Sequence, residues 1–203
     1  MVDRMDPQPS WASFVLYEGS FSAAECDELV ALGEATLRTG GVEEGGIEGL
    51  RDAAELRDSR LGWVPRTEGS EWAFERLEAI AASANTGWGL ATDGISEDLQ
   101  YTLYDTVGSH YTWHHDGLEA GVEDRKLSLV VQLSDPTDYE GADLDFLEVA
   151  VDYDEDELDD YRRRSRSRGT VVAFCAFEYH RVTPLVGGLR RSLVAWVSGP
   201  RLR

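Results

Sequence analysis

The hydrophobic pattern of this chain changes its period at Leu99, and that change constrains the fold more than any other feature. Before Leu99 apolar residues recur at helical spacing, whereas after it they alternate with polar residues over short segments, as in half-buried strands. Turns such as residues 134–136 and 187–188 separate these segments. We therefore expect a sandwich or barrel rather than a sheet with crossover helices. The predicted strands cover residues 100–104, 111–114, 126–133, 143–147, 170–174, 181–184 and 190–197.

The N-terminal region begins with a short strand and a helix in the predicted layout. Residues 11–17 alternate as a strand does, and Ser22 with Glu25 three residues later forms a capping box that starts a helix. One stripe of this helix is apolar and predicts packing against a core. The stripe consists of Cys26, Leu29, Val30, Gly33 and Leu37.

A glycine-rich loop and a second helix complete the N-terminal region. Residues 39–49 include five glycines and predict a loop suited to closing over a site. Residues 71–84 predict a helix that ends near Gly87 and Gly89. The side chains expected in its buried face are Phe74, Leu77, Ile80 and Ala81.

Residues 152–168 interrupt the series of strands with a run of charge. The run is acidic over residues 152–160 and basic over residues 162–168. Acid at the start and base at the end match the helix dipole, so we expect an exposed helix or a frayed insertion. A nucleic-acid patch is a poor interpretation, because the acidic half lies directly beside the basic half.

Composition limits the partners and the compartment. The 203 residues fit one structural domain, and a net charge of −20, from 39 acidic and 19 basic residues, argues against nucleic acid as a partner. No segment is long and apolar enough to predict a membrane span or a signal peptide. Cys26 and Cys175 lie in apolar contexts and are expected to be buried thiols. A cytoplasmic protein follows as the expectation, with its oligomeric state open.

Three separated residues predict a metal centre. His114 and Asp116 are two apart, so in an extended chain both point to one face while His115 points away. Taken alone, this pair is more typical of a strand surface. His180 follows an apolar strand and supplies a second imidazole. Two histidines and one carboxylate on one face of Fe(II) leave three positions for a chelating co-substrate and O2.

Arg190 lies ten residues after His180 and predicts an anion site. On the last strand Arg190, Ser192, Val194 and Trp196 share one face, while Arg191, Leu193, Ala195 and Val197 share the other. An unpaired buried guanidinium is costly, so an anion is expected beside Arg190. An internal acidic side chain would serve, but the joint occurrence with the metal ligands favours a bound dicarboxylate.

These motifs resemble the Fe(II)/2-oxoglutarate-dependent dioxygenases, in particular the prolyl 4-hydroxylase-like branch. The similar segments are Tyr111-Thr112-Trp113-His114-His115-Asp116, then Tyr139-Glu140-Gly141, then His180-Arg181-Val182-Thr183-Pro184 before Arg190. The resemblance covers residues 100–200 and implies a double-stranded β-helix (jelly-roll) core with N-terminal packing helices. It also implies a core at residues 99–203 that residues 1–98 support, the two forming one structural domain.

The resemblance further implies the cofactors and their contacts. Fe(II) would bind His114, Asp116 and His180, and 2-oxoglutarate would bind Arg190, with ascorbate as a possible reductant. Tyr104 matches a tyrosine that touches the co-substrate in related hydroxylases, although a core aromatic is an equal interpretation. Gln132 and Ser192 match or adjoin polar positions of the same pocket.

The resulting hypothesis is an oxidoreductase that hydroxylates a C–H bond, with a peptidyl prolyl group as the expected substrate and succinate and CO2 as products. A free amino acid or small metabolite is the alternative substrate. A non-catalytic β-barrel binding protein is a weaker alternative, because a site that has lost its activity usually loses a ligand, whereas all three ligand candidates and Arg190 are present. A zinc hydrolase is also weaker, because it gives Arg190 no clear role. Arg57, Arg60 and Trp63 either line a substrate groove or serve packing and surface roles, and the sequence slightly favours the second.

Overall fold

The computed structural model describes residues 12–39, 43–44, 56–118 and 121–201. Its helices are α1 (Ala23–Thr39), α2 (Glu71–Trp88), α3 (Leu147–Asp152) and α4 (Glu155–Ser165). Its strands are β1 (Phe14–Tyr17), β2 (Glu43–Glu44), β3 (Arg57–Asp58), β4 (Arg60–Val64), β5 (Gly94–Ile95), β6 (Leu99–Tyr104), β7 (His110–His114), β8 (Arg125–Gln132), β9 (Tyr139–Gly141), β10 (Leu144–Phe146), β11 (Val171–Cys175), β12 (His180–Val182), β13 (Leu185–Gly188) and β14 (Arg190–Ser198).

The strands form two main antiparallel sheets and one small one. The main sheet has the order β1-β11-β8-β14-β6-β4-β2, with β5 paired to β14. The second sheet has the order β10-β12-β7-β3, and β13 pairs with β9. This arrangement is the predicted mainly β architecture, a double-stranded β-helix with helices added, and the fold prediction is confirmed.

The first helix forms as its sequence predicts. The backbone N–H of Ser22 donates to Glu25 Oε2 at 2.8 Å, and the N–H of Glu25 donates to Ser22 Oγ at 3.3 Å, which completes the capping box. Cys26 and Leu29 of the apolar stripe are fully buried. A side chain on Gly33 would overlap the ring of Tyr101, so this glycine lets α1 approach the main sheet closely. The helix therefore covers the outer face of that sheet.

The second helix is one turn longer than the sequence predicts. It continues through Gly87 and ends at Gly89, which has a φ of 67° and whose N–H donates to the carbonyl of Asn85. Only a residue without a side chain adopts that left-handed conformation without strain, so Gly89 rather than Gly87 sets the end. Phe74, Leu77 and Ala81 are buried as predicted, and Ile80 packs partly buried against the same cluster.

All seven predicted strands are present, but the shortest strands were not foreseen, and one predicted turn is instead part of a strand. The prediction of a turn at Gly187 and Gly188 is wrong, because both residues belong to β13. Gly188 has a φ of 79°, and a Cβ there would lie 2.0 Å from the carbonyl oxygen of Asp138 in the neighbouring chain segment. These glycines thus permit close strand pairing. Leu147, predicted to end a strand, instead begins α3.

The charged segment forms α4, an exposed helix as predicted. Asp154 caps it, with Glu157 completing the capping box. Tyr161 on its inner side is buried, and its hydroxyl donates to the carbonyl of Leu144, which attaches the helix to β10.

Three further sequence predictions concern the glycine-rich loop, the two cysteines and membrane-spanning segments. The predicted loop at residues 39–49 lies outside the described residues, except for Thr39 at the end of α1 and the two residues of β2. Both cysteines are free and buried as predicted, and burial raises the pKa of the Cys175 thiol to about 12. In the described part of the chain no helix has the length and apolar character needed to cross a membrane.

Candidate active site

A cavity lies between the two main sheets. Side chains from β6, β8 and β14 form one wall, and side chains from β7, β10 and β12 form the other. The residues that line the cavity are Arg57, Gln100, Thr102, Tyr104, Tyr111, His114, Asp116, Val130, Leu144, His180, Val182, Arg190, Ser192, Val194 and Trp196.

The three predicted metal ligands meet in this cavity. His114 is the last residue of β7 and His180 is the first of β12, and the two are paired in register across the antiparallel strands. Asp116 lies just past β7, where its N–H donates to the carbonyl of Ala176 at 2.8 Å. His114 Nε2 is 3.5 Å from Asp116 Oδ1, and His180 Nε2 is 3.6 Å from Asp116 Oδ2. One donor atom from each residue lies within 4.8 Å of the others.

Backbone carbonyls orient both imidazoles. His114 Nδ1 lies 2.8 Å from the carbonyl oxygen of Thr112, and His180 Nδ1 lies 2.9 Å from that of Glu178. A carbonyl only accepts, so each Nδ1 carries the proton and each Nε2 keeps a lone pair. Both lone pairs belong to the atoms that face Asp116. This is the arrangement in which histidine binds a metal.

Burial and hydrogen bonding set the charge of the cluster. Burial tends to raise the pKa of Asp116, but the facing imidazoles of His180 and His114 and the hydroxyl of Ser128 outweigh it and hold that pKa well below its ordinary value. Burial lowers the pKa of His180 to about 4. At neutral pH the site therefore presents a carboxylate and a neutral His180 imidazole, the forms that bind a divalent cation.

Arg190 enters the same cavity from β14. It is 1% exposed, and its Nε donates to Gln132 Oε1 at 3.3 Å. Its Nη2 is buried without a hydrogen-bond partner among the described residues. Among the described residues no acidic side chain pairs with Arg190. The structure therefore does not show the internal acidic partner that the sequence left open. A buried guanidinium with a free N–H group is suited to binding a carboxylate.

The remaining predicted site residues surround Arg190. Tyr104 faces it across β6 and β14, with the guanidinium carbon 5.4 Å from the ring centroid. Ser192 lines the cavity two residues further along β14. Gln132 is not among the cavity-lining side chains but holds the Nε of Arg190, so its contact with a ligand would be indirect.

The sequence did not single out Ser128 or give Trp196 a role of its own. Ser128 Oγ donates to Asp116 Oδ2 at 2.7 Å from the facing strand β8, a contact that sequence spacing does not reveal. Trp196 lies on the predicted inward face of β14, so the alternation did contain a signal for it. Arg57 lines the cavity, contrary to the slight preference for a packing or surface role, whereas Arg60 forms a surface ion pair with Asp105.

The donor set fits the cofactors that the sequence motifs imply. Two imidazoles and one carboxylate suit Fe(II), and the unpartnered Nη2 of Arg190 suits the far carboxylate of 2-oxoglutarate. The family profile of the 2OG-Fe(II) oxygenase superfamily matches residues 99–198. The chain belongs to that superfamily. It is accordingly a 2-oxoglutarate-dependent oxidoreductase, and its family implies Fe(II) and 2-oxoglutarate.

Several solved structures share the fold. A Pseudomonas putida prolyl-4-hydroxylase has a TM-score of 0.65 at 18% identity, with 93% of each chain covered. A Trichoplax adhaerens prolyl hydroxylase, in complex with a hypoxia inducible factor peptide fragment, has a TM-score of 0.67 at 15% identity, covering 92% of this chain and 84% of that one. A viral collagen prolyl hydroxylase from Paramecium Bursaria Chlorella virus-1, in complex with 2-oxoglutarate, has a TM-score of 0.63 at 17% identity, covering 95% and 99%. No curated protein matches by sequence.

Proposed function

We propose that this oxygenase hydroxylates a C–H bond of a peptidyl prolyl substrate, with release of succinate and CO2. The observation that carries the proposal is the meeting of His114, Asp116, His180 and Arg190 in one cavity, where Nη2 of Arg190 has no hydrogen-bond partner among the described residues. The similarity of fold to three prolyl hydroxylases supports the choice of substrate. The peptide bound to the Trichoplax adhaerens enzyme supports a peptide in particular.

Each side chain has a defined task in this proposal. His114, Asp116 and His180 would hold Fe(II), and the guanidinium of Arg190 would bind the far carboxylate of 2-oxoglutarate through charge-assisted hydrogen bonds. Tyr104 and Ser192 line the space beside that carboxylate, and Gln132 fixes the guanidinium. Bound iron and 2-oxoglutarate supply the oxidising chemistry that amino-acid side chains lack.

The apolar part of the cavity keeps water away from the reaction. Val130, Leu144, Val182 and Val194 line the cavity together with the metal ligands and Arg190. Exclusion of water strengthens the electrostatic contacts inside the site and limits side reactions of the oxidant. The chain's part in catalysis is thus positioning and enclosure.

Two further features of the enzyme belong to the same proposal. Ascorbate would be the reductant that keeps the bound iron in the Fe(II) state. The cytoplasm is the proposed compartment, because ferrous iron and two free thiols suit a reducing environment.

Hydroxylation of a free amino acid or small metabolite is the second candidate function. The observation that favours it is Arg57, a second guanidinium in the cavity that pairs with no carboxylate of the described residues. A small acid would supply the missing negative charge.

The deciding experiment measures succinate formation with proline-rich peptides and with free amino acids, each checked by mass spectrometry for a gain of one oxygen. Hydroxylated peptide supports the main proposal. Hydroxylation of free amino acids with no product from any peptide would show that the second candidate is correct. A His180→Ala variant prepared in parallel identifies product made by contaminating enzymes.

A further inference from the structure

Arg57 brings into the cavity a guanidinium that pairs with no carboxylate of the described residues. Its Nε donates to Ser59 Oγ at 2.8 Å, its Nη2 donates to Gln100 Oε1 at 2.9 Å, and its guanidinium carbon lies 4.6 Å from the centroid of the Tyr111 ring. All three partners are neutral. These contacts fix the orientation of the guanidinium but leave its positive charge without a counterion among the described residues.

Other described arginines of this acidic chain find carboxylates. Arg125 pairs with Glu97 at 2.5 Å, Arg181 with Asp145 at 2.9 Å and Arg191 with Glu34 at 3.1 Å. The cavity contains two arginines, Arg57 and Arg190, and neither has such a partner in the part of the chain that the structure describes. Since acidic residues outnumber basic ones about twofold, the two exceptions indicate that ligands supply the missing charge.

The two arginines of the cavity lie beside different positions of β6. Arg190 faces Tyr104 across β14 and β6, whereas Arg57 is bound to Gln100, four residues further along β6. At about 3.3 Å per residue, these strand positions lie about 13 Å apart. In the proposed function one carboxylate of 2-oxoglutarate would bind Arg190 and the other end of the molecule would bind the metal. With 2-oxoglutarate on Arg190, Arg57 remains available to another molecule.

A second donor lies on the same side of the cavity. Trp196 is 4% exposed and lines the cavity, and its indole N–H has no acceptor among the described residues. It lies two residues beyond Val194, the residue that faces Gln100 across the sheet. A buried N–H without an acceptor is costly, so an oxygen of a bound molecule is expected here.

We propose that Arg57 and the indole N–H of Trp196 form a second anion site, which binds a carboxylate of the substrate. The inference rests on the proposed function, because it assigns Arg190 to 2-oxoglutarate. The carboxylate has two possible sources. It is either the α-carboxylate of a free amino acid or an acidic side chain beside the reacting residue of a peptide.

The test compares the binding of matched probes to the protein loaded with Mn(II) and 2-oxoglutarate, by titration calorimetry. L-proline against L-prolinamide tests the α-carboxylate, and N-acetyl-Pro-Glu-amide against N-acetyl-Pro-Gln-amide tests an acidic side chain. We expect the acid of one pair to bind about 10- to 150-fold more tightly than its amide, the range of a charge-assisted hydrogen bond. The pair that shows this preference identifies the source.

Variants assign the preference to Arg57. Arg57→Gln should abolish it and Arg57→Lys should retain part of it. Arg60→Gln, which removes a surface guanidinium three residues away that pairs with Asp105, should leave it intact. Absence of any preference in the parent protein, or a preference that survives Arg57→Gln, would overturn the proposal. Because Mn(II) replaces Fe(II), the measurement needs no turnover. Probes that bind as expected but yield no oxidised product with Fe(II) would count against the proposed function alone.

Discussion

Arg190 and Arg191 are neighbours in β14 but face opposite sides of the main sheet. Arg190 lines the cavity with an unpartnered Nη2, whereas Arg191 donates to Glu34 of α1 on the outer side. The difference follows from the two-residue period of a strand. The two arginines therefore form a matched pair for testing which one serves the co-substrate.

Arg190→Ala should weaken 2-oxoglutarate binding by about 10- to 150-fold, because a hydrogen bond to a charged group contributes about 1.5–3 kcal/mol. Arg191→Ala should change it by less than about threefold, because that side chain forms a partly exposed ion pair on the other face. The measurement is the 2-oxoglutarate concentration needed for half-maximal succinate formation. Equal values for Arg190→Ala and the parent would place the anion elsewhere.

Ser128 provides a second test at the residue scale. Its hydroxyl donates to Asp116 and helps keep that carboxylate ionised and oriented. Partners of metal ligands typically account for 10- to 100-fold in metal affinity, so Ser128→Ala should weaken Mn(II) binding by about tenfold. Ser134→Ala is the control, since Ser134 is equally buried but bonds to the backbone of Leu189 and Arg191. If both variants bind Mn(II) like the parent, the hydroxyl has no role in the metal site.

Among the elements, those with strong local signals were predictable and those formed by pairing were not. The capping boxes of α1 and α4 are visible in the sequence, and the long strands β8 and β14 alternate clearly. Strands β3 and β5 have two residues each, so no periodicity can reveal them. They exist because a longer neighbour offers hydrogen bonds.

The cap of α4 gives a prediction at this scale. Asp154 accepts a hydrogen bond from the N–H of Glu157 at 2.9 Å, so Asp154→Ala should lower the free energy of unfolding by about 1 kcal/mol. Asp159→Ala, at an exposed interior position of the same helix, should not lower it, because alanine favours helix. Urea denaturation of both variants measures the difference. An undiminished stability of Asp154→Ala would show that the cap contributes nothing.

At the scale of the molecule, both parts of the chain contribute to one core. β1 and β4, from the first 98 residues, pair with β11 and β6 of the remainder. Leu29 of α1 and Leu77 of α2 belong to the same apolar cluster as Leu129 and Leu193. The sequence could place the functional motifs after residue 98, but only the pairing shows how the earlier segment completes the sheet.

We therefore propose that residues 99–203 require residues 1–98 to fold as one structural domain. Expressed alone, residues 99–203 should show no cooperative unfolding transition, because the apolar face under α1 and α2 would be open to water. Thermal denaturation followed by circular dichroism measures this, with the full chain as the control. A cooperative transition of the isolated segment would show that the core folds independently.

The candidate site was predictable where it depends on local alternation and not where it depends on facing strands. The alternation of side chains along a strand predicted His114, rather than His115, as the inward-facing residue. The structure places His114 in the cavity, whereas the centroid of the His115 ring lies 4.8 Å from that of Tyr179. The Ser128 contact and the position of Arg57 in the cavity arise only when distant strands meet. The spacing of residues within one segment cannot predict contacts between strands that are distant in the sequence.

Iron binding by His180→Ala tests the central claim most directly. The parent protein, titrated with Fe(II) without oxygen, should bind one equivalent and then form succinate from 2-oxoglutarate once oxygen is admitted. His180→Ala should retain cooperative unfolding but lose both tight iron binding and succinate formation, because two ligands hold the metal poorly. Tight stoichiometric iron binding or undiminished succinate formation by purified His180→Ala would contradict the assignment of His114, Asp116 and His180 as the metal centre.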